Sequence, residues 1–221
     1  MTRVLSLLQS TIGKKVVMAA SGAILFGYVI GHLLGNLQVY VPDGGARINA
    51  YAAFLHASPG ILWGTRVVLL LAVTLHVLTA VQLHTINSAA RPVAYDVRGW
   101  RGSAGYASRT MMWSGPIIGL FIVYHLLHFT LGNIHPDFVE LDVHHNVTVG
   151  FQDPLVAGAY IVAMIALGLH LYHGAWSMFQ SVGINHPRYN NWLRAFAVVI
   201  STFITLGNVS IPVAVLTGLV Q

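Results

Sequence analysis

The chain has no cysteine. That excludes a disulfide framework, cysteine-ligated iron–sulfur clusters and covalent c-type haem, which needs a C-x-x-C-H run. Charge is also scarce: 8% of the 221 residues are Asp, Glu, Lys or Arg, against roughly 25% in ordinary globular domains. The 6 acidic residues all lie outside the long apolar stretches, which disfavours a transporter built on intramembrane carboxylates. A nucleotide fingerprint, a flavin motif, a low-complexity tract and a second domain are all missing.

Apolar residues fill the gap. They make up 56% of the chain, and mean hydropathy is +0.70. Uncharged stretches run over Val16–Pro42, Val67–Ala90, Thr110–Pro136, Pro154–Pro187 and Ala195–Gln221. Each exceeds the approximately 20 residues that a helix needs to cross a hydrocarbon core of about 30 Å. The expected fold is therefore all-α: an integral membrane bundle of five helices, spanning about 16–40, 61–88, 108–133, 154–182 and 192–217 of a single domain, 1–221. A soluble protein with five such helices would have no polar shell. The N-terminal run MTRVLSLLQSTIGKK does not read as a secretory signal, because the apolar segment after Lys14 and Lys15 exceeds the usual 7–15 residues of a signal core.

Lysine and arginine set the expected orientation. With the N-terminus cytoplasmic, that side holds Arg3, Lys14, Lys15, Arg91, Arg98, Arg101, Arg109, Arg188 and Arg194, and only Arg47 and Arg66 fall opposite. The net charge of +5 is then a topology signal and not a nucleic-acid footprint, although a basic inner face suits a soluble partner or anionic lipid.

Histidine is abundant, with 12 in the chain. His32, His76, His84, His125, His128, His170 and His173 fall in apolar spans; His56, His135, His144, His145 and His186 fall in loops or at ends, where solvated side chains are the default. An ionisable group inside a span marks a functional site by default. For any one of them an interhelical hydrogen bond explains it equally well, but each of the first four spans carries at least one.

Depth adds to the pattern. His32 and His125 lie ten and eleven residues inside the outer prolines Pro42 and Pro136, while His76 and His170 lie seventeen and sixteen from Pro59 and Pro154. At a rise of about 1.5 Å per residue these form layers roughly 15 Å and 25 Å deep. Two layers of facing histidines suit two haems, each clamped by imidazoles from opposite sides. Gly27, Gly31 and Gly35 flank His32 at four-residue spacing, and Gly174 follows His170 by the same interval. Glycines there admit a flat macrocycle or, equally, a close helix contact. A membrane di-iron hydroxylase or desaturase is the alternative from another class; its H-x-x-x-H boxes do not match the His125/His128 and His170/His173 spacing.

The runs VIGHLLGN, TLHVLTA, VYHLLH and HLYHGAWSMFQSVGI on successive spans, followed by a histidine-free fifth, resemble the di-haem cytochrome b membrane anchor of succinate:menaquinone oxidoreductases and quinol:fumarate reductases, the succinate dehydrogenase cytochrome b558 family. The resemblance covers nearly the whole chain. It implies two non-covalent haem b groups with His32, His76, His125 and His170 as axial iron ligands, paired His76/His170 near the cytoplasm and His32/His125 outside. It favours His170 over His173, because the family histidine precedes a glycine by four positions. His173 and His128 remain alternates, with His84, Gly31, Arg91, Arg98 and Arg109 as secondary contacts.

The family also implies a flavoprotein and an iron–sulfur subunit on the cytoplasmic face of the inner membrane. Electrons pass from succinate to a quinone, expected to be menaquinone, with no dicarboxylate chemistry on this chain itself. Some members use a carboxylate near the outer end of the first connection; here that segment offers Asp43, then Arg47, Tyr51 and His56, with no acid nearer the second helix, and Tyr51 or His56 would be the substitutes.

Overall fold

Small polar caps and prolines set the helix starts. The structure is a computed structural model that describes residues 10–90 and 106–221. Ser10 opens α1 (Thr11–Asn36), its hydroxyl accepting from the Gly13 N–H at 3.0 Å; a 3₁₀ turn, Leu37–Tyr40, follows. Next come α2 (Ala46–His56), α3 (Pro59–Ala89), α4 (Tyr106–His125) with a terminal π turn at Leu126–Thr130, α5 (Val143–Gly150), α6 (Pro154–Ser181) and α7 (Pro187–Leu216). Proline begins α3, α6 and α7, where its missing N–H and fixed φ cost nothing. No strand occurs among the described residues.

Five helices are long and apolar enough to cross a membrane: Thr11–Tyr40, Pro59–Ala89, Arg109–Thr130, Pro154–Ser181 and Pro187–Leu216. This is an all-helical, multi-pass membrane protein. Two spans start five residues before their apolar runs. The Ser10 cap carries Lys14 and Lys15 into α1, and the His186 cap carries Arg188 into α7. Long basic side chains tolerate this by extending toward the interface.

Helix α6 is central. It packs against α7, α4 and α1, and α1 packs in turn against α3. Apart from Tyr160 and Met164 its buried residues are small: Ala157, Ala163, Ala166, Gly168 and Ala175. Without a hydrophobic drive between helices in lipid, such residues gain attraction by letting backbones approach. Leu and Val side chains such as Leu70, Leu155 and Leu206 stay exposed on outer faces, as lipid contact requires.

Short helices α2 and α5 cap one end. Gly45 begins α2 at φ 85°, and a Cβ there would collide with His144 of α5. Asn49 of α2 donates to Asp142 Oδ1 at 2.8 Å and accepts from the His144 N–H at 3.0 Å. Asp142 also caps α5 through the His145 N–H at 3.0 Å. That N–H, opposed by partial burial and helped by Asn49, holds the carboxyl below its ordinary range. A lowered carboxyl contributes its stability above the ordinary carboxylate range and loses it as pH falls through the lowered value. The α2–α5 joint should therefore open at a more acid pH than an ordinary carboxylate would allow. Asp142→Ala should cost about 1 kcal/mol of cap stability. Faster amide exchange in α5 at neutral pH would register it; wild-type exchange rates would refute it.

Candidate metal centre

Four spanning helices each aim one imidazole into the bundle. The rings of His32 (α1) and His125 (α4) lie 5.8 Å apart between centres, at 84°. Those of His76 (α3) and His170 (α6) lie 6.1 Å apart, at 59°. A metal bonds an imidazole nitrogen at about 2.0–2.1 Å, as zinc shows, and each ring centre lies about 1 Å further, so two imidazoles on opposite sides of one ion have centres about 6 Å apart. Both pairs match that separation. His173, three residues beyond His170 on the same helix, pairs with no histidine ring of another helix among the described residues.

Local partners leave one nitrogen available on three of the four rings. His76 Nδ1 is 3.2 Å from the Met18 carbonyl and 3.4 Å from Ser21 Oγ. A carbonyl can only accept, so Nδ1 carries the proton and Nε2 the lone pair. His170 Nδ1 lies 3.4 Å from Ser114 Oγ, and His125 Nδ1 3.4 Å from the Tyr160 hydroxyl. Such contacts fix tautomer and orientation in metal-binding histidines. His32 differs: its Nε2 faces Asn36 Nδ2 at 3.1 Å, and Tyr28 stacks on the ring at 5.5 Å and 14°. A metal at that nitrogen would have to displace the amide.

The two levels are further apart than proline counting gives. Ser114, beside His170, precedes His125 by eleven residues of α4, and Tyr160, beside His125, precedes His170 by ten of α6. Both intervals correspond to about 15–17 Å, against the roughly 10 Å expected from the prolines. The prolines mislead because α3 and α6 begin at Pro59 and Pro154, whereas Pro42 and Pro136 lie beyond the ends of their helices.

The donor set fits a bis-imidazole group at each level. Gly31, next to His32, and Gly174, one turn after His170, have no atom within 4 Å of where a Cβ would stand, and the same holds for Gly27. Gly27 and Gly31 are exposed and Gly174 is half-buried, so no side chain of the chain itself covers these positions. Gly35 differs: a Cβ there would come within 2.9 Å of the Tyr51 ring, so it serves helix packing.

The remaining candidates separate. His128 is 1% exposed and bonds across helices to the Tyr160 hydroxyl at 3.0 Å. His84 is exposed and His173 half-buried, and neither makes a hydrogen bond among the described residues. Tyr51 and His56 lie exposed on different faces of α2, and His56 Nδ1 donates to the Ala52 carbonyl of its own helix at 2.9 Å. The structure does not bring them together. Arg109 is exposed in α4, while Arg91 and Arg98 lie outside the described residues.

His135 corrects its reading as a solvated loop residue. It is 9% exposed, bonds the Asn146 carbonyl at 2.8 Å and stacks on His128 at 5.0 Å. The α5 cap folds over it, which no local pattern announces. Tyr160, Ser21 and Ser114 were missed as partners; the available signal was a buried hydroxyl in an apolar span needing a mate. Among the described residues, no three His, Asp or Glu side chains converge as a metal cluster, so the multi-ligand geometry of a di-iron hydroxylase is not formed by them. The chain matches no protein-family model, and no curated protein or solved structure shows significant similarity to it.

Proposed function

We propose that the protein is the haem-bearing membrane anchor of a succinate:quinone oxidoreductase or quinol:fumarate reductase, passing electrons between an iron–sulfur subunit and a membrane quinone, menaquinone by resemblance. The observation that carries this reading is the twofold repeat of one geometry: opposed imidazoles near 6 Å between centres, on four different helices, at two levels. When bound, a haem at each level supplies one-electron redox chemistry.

The chain's own residues do the rest. His76 with His170 and His32 with His125 would hold the group at their levels through two imidazoles each, which favours electron transfer over oxygen binding. Met18, Ser21, Ser114 and Tyr160 hold the rings in their orientations. The apolar packing keeps water from both levels. Lys14, Lys15, Arg188 and Arg194 gather where α1 begins and α6 passes into α7. By the lysine–arginine rule that end faces the cytoplasm of the inner membrane, and it is where the flavoprotein and iron–sulfur subunits would dock. That would set the His76/His170 level nearer those subunits and the His32/His125 level nearer the opposite face of the membrane.

Purified chain should show a reduced-minus-oxidised spectrum of low-spin b-type haem and, by pyridine haemochrome assay, close to two haems per chain. A preparation that stays colourless after expression with ample haem would end the proposal.

A further inference from the structure

Tyr160 is 6% exposed in the middle of the bundle. Its hydroxyl lies 3.4 Å from His125 Nδ1 and 3.0 Å from His128 Nδ1. A phenol has one proton to give, so it cannot donate to both. Two arrangements satisfy all three groups, and holding a metal at His125 Nε2 requires the one in which His125 Nδ1–H donates to the phenol oxygen and the phenol O–H donates to His128 Nδ1. In that tautomer His125 Nε2 is the free base, on a ring 5.8 Å from that of His32.

The chain of contacts continues toward the cap. His128 stacks on His135 at 5.0 Å, and His135 Nδ1 accepts from the Asp137 N–H at 3.1 Å while its Nε2 meets the Asn146 carbonyl at 2.8 Å. The cap leaves no slack over these rings. A Cβ on Gly150 of α5 would come within 3.0 Å of His135 Nε2, 3.1 Å of His128 Cε1 and 3.1 Å of Phe129 Cε1. The π turn at Leu126–Thr130, a feature frequent at functional sites, carries His128 into this position.

We propose that Tyr160 is the positioning residue for the outer axial ligand, and that His128, acting through Tyr160, sets how strongly His125 donates to iron. The inference rests on the haem reading above and deepens it. A hydrogen bond accepted from the distal ring nitrogen raises ligand basicity. A more basic imidazole stabilises ferric over ferrous iron, so Tyr160 lowers the potential of the His32/His125 haem and leaves the other level alone.

The test is a redox titration with low-temperature EPR of the purified, haem-loaded full chain. Tyr160→Phe should retain two haems, raise the midpoint potential of the His32/His125 haem, move its low-spin ferric signal and leave the second haem unchanged. His128→Leu should raise the same potential by less. His128→Asn, whose amide reaches the position of Nδ1, should return it toward wild type. The double variant Tyr160→Phe/His128→Leu should match Tyr160→Phe alone, because one residue works through the other.

Unchanged potentials and EPR in Tyr160→Phe, or additive shifts in the double variant, overturn the proposal. Should Tyr160→Phe lose the outer haem, the His128 pair decides: a shift with Leu that Asn reverses supports it, and identical values refute it. A wild-type chain without haem would instead refute the parent reading, before any variant is made.

Discussion

Alanine at His76 should remove one haem and leave the other, and alanine at His170 should remove the same one. The pyridine assay should fall from near two haems per chain to near one in both variants, with an identical residual spectrum. His32→Ala and His125→Ala should each remove the complementary haem. The reasoning is geometric. Each imidazole faces one partner only, across 5.8 Å or 6.1 Å between ring centres, and the levels stand about 15–17 Å apart on the helix rise. On the haem reading, losing one imidazole would strip half the protein's grip on the group at that level, while the other level would keep both its imidazoles. The fold should survive, because α6 packs on α7 and α1 on α3 through contacts other than the rings. Retention of both haems in any of the four variants, or loss of both together, would show that the pairs are not independent sites.

The second large effect is expected at Gly168. A Cβ on this buried α6 residue would run into the Thr205 hydroxyl of α7, which itself donates to the Ser201 carbonyl at 2.8 Å. At a second contact, a Cβ on Gly207 of α7 would come within 2.9 Å of Leu33 of α1, a side chain with no exposure. Helix α7 thus sits against α6 and α1 at two glycines. Gly168→Leu should force those helices apart and cost about 1–3 kcal/mol, the usual range for overpacking. It should lower the thermal midpoint in detergent and, because Gly168 is two residues from His170, weaken haem retention at the His76/His170 level first. Gly158→Leu, on the same helix, is the control: no atom lies within 4 Å of its Cβ position, so wild-type stability is expected. Equal behaviour of the two variants would refute the account of the α6–α7 contact.

Much of this architecture can be read from the chain because lipid tolerates so few residue types. Five long uncharged runs leave one fold class, and histidines inside them are conspicuous against that background. Order and spacing alone paired His32 with His125 and His76 with His170 as expectations, and the coordinates bring those rings together. What stayed hidden depends on tertiary crossing. Ser21, Ser114 and Tyr160 each sit in an apolar run like many other hydroxyl residues, and only the packing of α1 on α3 and α4 on α6 shows which imidazole each one meets. Lys14 and Lys15 hid the true start of α1, because hydropathy reports where apolar surface begins while Ser10 decides where the helix begins. Helices α2 and α5 are short, 11 and 8 residues, and are held by one another through Asn49, Asp142 and His144, so neither half of the sequence announces them.

The two couples interleave along the polypeptide: the first spanning helix answers the third, and the second answers the fourth. During synthesis from the N-terminus, neither couple can close while only the first two segments have entered the bilayer, and the second couple must wait for α6. On the haem reading porphyrin capture would fall late in biogenesis, and ribosome-stalled chains ending before α6 could complete at most the His32/His125 couple. A nested order would have let a hairpin of neighbouring segments form one site early; the crossed order makes each site a fastener between the first half of the chain and the second.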